Sequence, residues 1–523
     1  MSSSAQTDTE RQRGTWLVNL LTGIERAGNK LPHPFWLFLP HPFWLFAGLA
    51  VITLLLSALL SKLGVSAVSP ADNKEVAVVN LLSPDGINKM ITEAVPNFTG
   101  FPPLGLIIIV MLGVAVAEQS GLISASIRGV VARVSPKWLT FVLALAGVTG
   151  SVASDAVYVV LIPLGAVTFK TAGRSPVLGA VVAFGSCSAG FNASLLVTAT
   201  DAILAGLSTS AAQLIDESVT VSPVANYFFS IASAIVLALI VTLVTELLLV
   251  RTTKDMIDDE PDEDAASADD FRLSPAEKRG VILAFIVGFV FLAVYLAALL
   301  WPNSIFHGEE GILDSPLLSA IVVPIALMFA VVGVVYGLVT RSITKAQDIP
   351  EMMGKGLLSL APVMVLFFAA AQFVAYFKWS NIGPIIAIKA SELLQQAQMP
   401  TLVMFAGLVL LVALLNLLIT SGSAQYALMA PVIVPMFMLL GVSPEVTQML
   451  FRIGDSPTNI ISPMSPYFAL ALGYVQQYYS RARIGTLLSL TLPLSVAMLV
   501  GWFAFFALWY ALGLPLGPGV PVR

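Results

Sequence analysis

Cysteine, histidine and fixed charge are all scarce in this chain, and each scarcity removes a class of protein. Cys187 is the only cysteine, so no intramolecular disulfide can form. The three histidines, His33, His41 and His307, fall outside the apolar segments, which leaves no ligand cluster for a membrane-embedded metalloenzyme. No G-x-x-x-x-G-K-S/T sequence occurs, so the phosphate cradle of an ATP-driven pump is missing. The first thirty residues are polar and show no cleavable signal. Charged residues make up 11% of the chain against 57% hydrophobic, with mean hydropathy +0.89, far more apolar surface than a soluble core could hide. The composition is that of an all-α polytopic membrane protein. The net charge of −5 comes largely from one acidic loop and gives no support for a nucleic-acid partner. No catalytic set and no metal site is read, so the chain is expected to be no enzyme and to need no cofactor.

Nine long apolar segments, at 43–63, 101–126, 176–205, 225–249, 280–300, 315–340, 356–377, 446–475 and 487–513, each approach or exceed the ~20 residues a spanning helix needs. Two further stretches, 138–169 and 401–440, are broken in the middle by Ser, Gly and Asp or Gln, and we read both as re-entrant helical hairpins. With that arrangement 19 of the 26 Lys and Arg fall on one side and six on the other, Arg452 being left in the membrane. Such an asymmetry marks the cytoplasmic side, placing the N-terminus inside and the C-terminus outside. The chain divides into a cytoplasmic and interfacial stretch 1–42, a first membrane half 43–251, an acidic cytoplasmic linker 252–279 and a second half 280–523. The linker's run of Asp and Glu over 255–270, which contains no aromatic residue, reads as solvated and flexible.

Two kinds of internal repetition are present. Residues 31–38 recur unchanged as 39–46, a local duplication of an aromatic anchor that leaves the first span intact. At an offset of 268, Pro163 matches Pro431, Gly173 matches Gly441, and Ser175-Pro176 matches Ser443-Pro444. Each hairpin then leads into a membrane segment interrupted by small and polar residues, at 185–194 and 454–459. With one hairpin opening inward and the other outward, this is an inverted repeat, an architecture that places the substrate between broken helices near the bilayer middle.

Ionisable residues at that depth are expensive and mark solute pathways. Arg452 and Asp455 lie beside Gly454, Pro457 and Pro463, where the helix is broken. Spaced three apart they can pair along the helix, and we favour Asp455 positioning Arg452 for an anionic group. Asp201 has no turn residues beside it, which favours function over a place at the membrane boundary. Without a basic neighbour in sequence, it is also the preferred proton carrier. Asp155 fits a half-helix N-cap and an ion or solute role equally. Asn192 and Asn459 fit repair of freed backbone, or carbonyls offered to a cation. In the second hairpin tip Ser423 can cap a half-helix and Tyr426 can stack on a ring. Glu118 and Glu246 lie near inner ends, where pairing with basic loops suits them. The acidic groups suit H⁺ or Na⁺ as coupling ion.

Seven segments in order carry a family likeness: Gly28-Asn-Lys-Leu-Pro-His-Pro34, Asn97-Phe-Thr-Gly-Phe-Pro-Pro-Leu-Gly105, Asp201-Ala-Ile-Leu-Ala-Gly206, Gln372-Phe-Val-Ala-Tyr-Phe-Lys-Trp-Ser-Asn381, Ala430-Pro-Val-Ile-Val-Pro-Met436, Arg452-Ile-Gly-Asp-Ser456 and Gly513-Leu-Pro-Leu-Gly-Pro-Gly519. Over almost its whole length the chain resembles the p-aminobenzoyl-glutamate transporter (AbgT) family, which includes exporters of sulfonamide-type antimetabolites. The resemblance implies a homodimer of nine-span protomers with two re-entrant hairpins, in a bacterial inner membrane. It implies site roles for Asp201, Ser423, Pro444, Arg452, Asp455 and Pro463. Where this chain has Tyr426 the family typically has Trp; Tyr keeps an aromatic face and adds a hydroxyl. The expected function is ion-gradient-driven export of p-aminobenzoyl-glutamate or related aryl amines. Import for folate salvage, and a channel for organic anions, are the alternatives. The chemistry agrees: Arg452 offers a bidentate anion partner, Tyr426 a stacking face and an Asp an acceptor for the aryl amine.

Overall fold

The computed structural model describes residues 42–68, 74–131, 134–153, 156–253, 256, 267, 271–301, 304–307 and 315–522. Asp155, His33, His41, the first copy of the repeated octapeptide, and most of the acidic linker lie outside the described residues.

Apolar runs become helices because a helix satisfies every backbone hydrogen bond within its own segment, which lipid cannot do for it. Seven helices are long and apolar enough to cross a membrane: Pro42–Lys62, Pro102–Gln119, Tyr227–Thr252, Pro275–Leu300, Val322–Thr340, Ala361–Trp379 and Ile484–Leu512. Serine followed by proline opens many of the helices. Ser83, Ser175, Ser274, Ser315 and Ser443 each cap a helix with a side-chain oxygen that accepts a backbone N–H of the first turn, with Pro in the next position.

The two segments read as interrupted, at 185–194 and 454–459, are each a pair of half-helices. The 176–205 segment is two half-helices, Pro176–Ala189 and Ala199–Ala212, and the 446–475 segment is Pro444–Thr458 and Pro466–Gln476. Other limits shift as well. The 101–126 segment ends at Gln119, because Gly121 turns the backbone at φ +92° before a short helix Leu122–Val131. The 315–340 segment divides at Ala320, and 356–377 is entered through a separate helix, Asp348–Ser359. The amphipathic helix Ile382–Gln396 and the short helices Pro84–Thr92 and Ala94–Thr99 are additions. A strictly all-α reading is corrected by one antiparallel pair of three-residue strands, Ser66–Val68 with Glu75–Ala77.

Each of the stretches 138–169 and 401–440 is two helices joined by a short turn. The first is Leu139–Thr149, a 3₁₀ turn at Gly150–Ala153, and Ala156–Thr171; the second is Thr401–Asn416 followed by Gly422–Met438. Limbs of 11 to 17 residues reach roughly 16 to 26 Å at 1.5 Å per residue, short of the ~30 Å hydrocarbon core. The positions matched between the halves do the same work in each. Gly173 (φ +73°) and Gly441 (φ +79°) turn the chain after the second limb. Around them Arg174 N donates to Phe169 O at 2.8 Å and Val442 N to Phe437 O at 2.9 Å, the same helix-closing bond. Ser175 and Ser443 then cap the half-helix that follows.

Within each half the first limb and the following half-helix are packed together, and glycine allows it. A Cβ on Gly147 would lie 2.5 Å from Ser186 Cβ, and one on Gly454 would lie 2.6 Å from Val409 O. Between halves the packing is exchanged: Ala199–Ala212 lies on Gly422–Met438 and Pro444–Thr458, while Pro466–Gln476 lies on Ala156–Thr171 and Pro176–Ala189. Outside this centre, Pro275–Leu300 packs on Val322–Thr340, which packs on Pro102–Gln119. Pro275–Leu300 is the least buried of the seven and shows apolar side chains nearly all round.

Candidate functional site

The exchange brings each break against the other repeat. Residues 190–198 leave helical geometry at Gly190, after Pro176–Ala189 ends, and resume it at Ala199. A capping box explains the restart: Thr198 Oγ1 accepts from Asp201 N, and Asp201 Oδ2 accepts from Thr198 N at 2.6 Å and Thr198 Oγ1 at 2.8 Å. Asp201 therefore has a local partner. The expectation that no neighbour accounts for it is corrected, and the T-x-x-D spacing was the signal.

The other oxygen of Asp201 faces the second repeat. Arg452 Nη1 donates to Asp201 Oδ1 at 2.5 Å, across 251 residues of sequence, with Arg452 2% exposed. The same nitrogen reaches Asn192 O at 3.5 Å. Arg452 Nε and Nη2, which form the side edge of the guanidinium, have no hydrogen-bond partner among the described residues. This overturns two expectations: Arg452 pairs with Asp201 rather than with Asp455, and Asp201 is not remote from positive charge.

Asp455 faces a different set of groups. Asn192 Nδ2 donates to Asp455 Oδ2 at 2.7 Å, and Asn192 N donates to Ser456 Oγ at 3.2 Å. Asn192 thus joins Arg452 to Asp455, its backbone carbonyl on the guanidinium and its side-chain amide on the carboxylate. Asn416, at the end of the second hairpin's first limb, donates to the Asp455 carbonyl, to Thr458 Oγ1 at 2.9 Å and to Asn459 Oδ1 at 2.9 Å. Asn459 Nδ2 in turn donates to Ser188 O at 3.4 Å, the backbone repair expected of it. Asp455 Oδ1 and Asn416 Oδ1 are buried acceptors without a donor among the described residues. Gly422, at the hairpin tip, lies against the same carboxylate: a Cβ there would be 2.8 Å from Asp455 Oδ2.

The remaining expected residues divide. Tyr426 is fully buried, its ring tilted against Phe451 with centroids 4.4 Å apart. Its hydroxyl lies 2.6 Å from Ser208 Oγ, which donates to Gln448 Oε1 at 2.7 Å. Both ring and hydroxyl are engaged within the protein. Ser423 is half-buried at the second tip, 3.5 Å from Ser421 Oγ, and the capping oxygen is that of Ser421 rather than its own. Pro444 opens the helix that carries Arg452, two turns earlier, and Pro463 is half-buried in the second break. Glu246 pairs with Arg174 at 2.8 Å, as its position near an inner end suggested.

One cleft gathers Asp201, Arg452 and Asn192 with Phe191, Ser194, Leu196, Thr198, Thr200, Pro223, Tyr227 and Ser230. Its volume, counted together with the open solvent at its mouth, is about 290 Å³. Ser423, Tyr426, Pro444, Asp455 and Pro463 do not line it. Ser208, Gln448, Asn416, Tyr227 and Ser230 were not singled out from the sequence. For Gln448 and Asn416 the signal was available, since both are polar side chains inside apolar runs, as Arg452 is.

Comparisons with known proteins agree with this architecture. The profile of the AbgT transporter family matches residues 19–523. The p-aminobenzoyl-glutamate transport protein of Escherichia coli (strain K12) is 36% identical over 502 residues, covering 96% of each chain. The crystal structure of the Alcanivorax borkumensis YdaH transporter is similar with TM-score 0.86 and 40% identity, covering 92% of this chain and 100% of that one. Neisseria gonorrhoeae MtrF, described within a class of antimetabolite efflux pumps, is similar with TM-score 0.87 and 40% identity, covering 96% of this chain and 100% of its own.

Proposed function

Because the chain belongs to the AbgT transporter family, we propose that it is an ion-gradient-driven secondary transporter of p-aminobenzoyl-glutamate and related aryl amines such as sulfonamides, working as an exporter. The observation that carries the reading is Arg452: a fully buried guanidinium in a cleft between two broken helices, held by Asp201 on one nitrogen and free along its side edge. Two parallel N–H groups fit a carboxylate bidentately. Asp201 and the Asn192 carbonyl keep the cation in place and oriented while the site is empty. Similarity to MtrF supports outward transport of antimetabolites.

Coupling belongs to Asp455 in this reading. It makes no ion pair among the described residues, and its Oδ1 and the Asn416 oxygen are bare acceptors, the ligand type that suits H⁺ or a hard cation such as Na⁺. Asn192 connects the cation end to the substrate end, so loading of one biases the other through a single residue, by its side-chain amide at Asp455 and its backbone carbonyl at Arg452. With Asp455 assigned to coupling, Asp201 becomes a positioning residue. Nine spans, an inverted repeat, the inner membrane, an inside N-terminus and outside C-terminus, and a homodimer complete the proposal.

The test is uptake and efflux of labelled p-aminobenzoyl-glutamate and of a sulfonamide in proteoliposomes with independently imposed H⁺ and Na⁺ gradients. Saturable flux that follows one gradient is expected. Flux that neither saturates nor responds to a gradient would replace the transporter by a channel.

A further inference from the structure

The aryl end of the solute has no partner in the roles above. Tyr426, the ring expected to stack on it, is fully buried against Phe451 and does not line the cleft. The cleft supplies another ring. Phe191 lines it together with Arg452 and two further apolar residues, Leu196 and Pro223. Phe191 is half-buried, and among the described residues its side chain joins none of the hydrophobic cores and stacks on no other ring. Phenylalanine ordinarily contributes through just such packing, so this ring is left with a face to spare. The turn that carries it is pinned on both sides. Ala193 N donates to Gly190 O at 2.9 Å, closing a turn with Phe191 and Asn192 at its centre. Gly190 lies against the first hairpin, where a Cβ would be 2.5 Å from Val148 Cγ2. Asn192 is held by Asp455 through its side-chain amide and by Ser456 through its backbone N–H. Farther along the same unwound segment, the Tyr227 hydroxyl donates to Leu195 O at 3.0 Å. A fixed backbone therefore carries the Phe191 ring, one residue from the carbonyl that holds Arg452.

We propose that Phe191 is the aryl-binding residue of the cleft, and that selection of aromatic over aliphatic solutes rests on its ring. The aryl group of the solute meets the Phe191 ring in an offset or edge-to-face contact, while the acid group engages the free edge of Arg452. Such a contact selects for aromaticity, because a saturated ring of the same size is puckered and has no π face. Leu196 and Pro223 extend the apolar wall without adding a ring. Since the turn is already pinned, binding does not have to order it. This assignment rests on the substrate reading above and moves the stacking role from Tyr426 to Phe191.

The probes are p-aminobenzoyl-glutamate, benzoyl-glutamate and cyclohexanecarbonyl-glutamate, the last two differing only in the aromaticity of the ring. Binding of all three is measured on purified full-length parent, Phe191→Leu, Phe191→Trp and Tyr426→Leu, together with the thermal midpoint of each without ligand. The parent should bind the benzoyl compound several-fold, up to about tenfold, tighter than the cyclohexyl one, the range of an aromatic pair. Phe191→Leu keeps an apolar side chain and removes the ring, and should bring that ratio close to one. Phe191→Trp offers a larger face and should keep or raise it. Both variants should hold the ligand-free midpoint near that of the parent, because the ring packs on no core. Tyr426→Leu should lower the midpoint, having left a cavity beside Phe451, and keep the ratio. An unchanged ratio in Phe191→Leu would make the ring a bystander facing lipid or water and overturn the inference. A Phe191→Leu chain that no longer folds would make it a packing element and overturn the inference as well. A parent that binds p-aminobenzoyl-glutamate yet shows no preference for the benzoyl over the cyclohexyl compound would overturn it and leave the substrate reading standing. A parent that binds none of the three would overturn the substrate reading, and the inference with it.

Discussion

Arg452 and Asp201 define what single side chains contribute. Removing one member of a buried pair leaves the other charge uncompensated, at about 3–5 kcal/mol, but the two members are not equivalent. Asp201 keeps its Thr198 bonds when Arg452 is lost, so Arg452→Ala should reach the membrane folded and transport nothing. Arg452→Lys should retain less than about a tenth of parental transport, because an ammonium cannot supply two parallel donors. Near-parental flux in either variant would reduce Arg452 to a structural tie. Asp201→Asn should lower the thermal midpoint, since Arg452 would be left with neutral acceptors only and no counter-charge. Asp455→Asn is expected to bind p-aminobenzoyl-glutamate within a few-fold of the parent while its flux ceases to follow the imposed ion gradient. Gradient-driven accumulation that survives in Asp455→Asn and fails in Asp201→Asn would return the coupling role to Asp201.

Among the helices and hairpins, glycine sets the distances. Gly165 and Gly179 bring the returning limb of the first hairpin into backbone contact with the half-helix Pro176–Ala189, and Gly454 brings the half-helix Pro444–Thr458 against the first limb of the second. Adding volume there forces a shift typically worth 1–3 kcal/mol or more. Gly165→Val and Gly454→Val should each lower the thermal midpoint of the purified protein and reduce transport, with no contact to the cleft. Gly48→Ala, at a position with open space around it, is the matched control and should leave both unchanged. Gly173 and Gly441 act through conformation instead, since each sits at positive φ with nothing near its missing Cβ. Alanine at either should cost about 1 kcal/mol through left-handed backbone strain, read as a small fall in midpoint without a fall in transport rate.

For the molecule as a whole, the proposed alternating access would draw on the exchange between halves. The last half-helix of each repeat lies on the hairpin of the other, so rocking of one repeat would reshape both breaks together. The proposed orientation in the membrane rests on the basic asymmetry. With Cys187 replaced, Asp85→Cys, in the short helix Pro84–Thr92, should react with a membrane-impermeant thiol reagent applied to intact cells. Lys345→Cys, exposed between Thr340 and Asp348, should be shielded until the membrane is permeabilised. Labelling of Lys345→Cys from outside would invert the proposed orientation.

The extent to which this protein is legible in its residues follows from the range of the forces concerned. Apolar runs, Ser-Pro helix starts, the two hairpins, the two breaks and the matched Gly173 and Gly441 are local features, each dictated by a few consecutive residues and by the demand that backbone in lipid be satisfied nearby. They could be read directly. Arg452 stood out for the same reason, as a charge in an apolar run. Its partner did not. Asp455, three residues away, is the near candidate, and the pair that forms instead joins positions 251 residues apart, because packing of the exchanged half-helices brings Asp201 to the guanidinium and turns Asp455 toward Asn192. A charge in a low-dielectric interior takes whichever partner the packed backbone delivers within hydrogen-bond reach, and no local pattern encodes that delivery. The burial of Tyr426 against Phe451 and Ser208 and the cleft between the breaks belong to the same class: each is a relation between segments distant in the chain, created by how the two halves interlock.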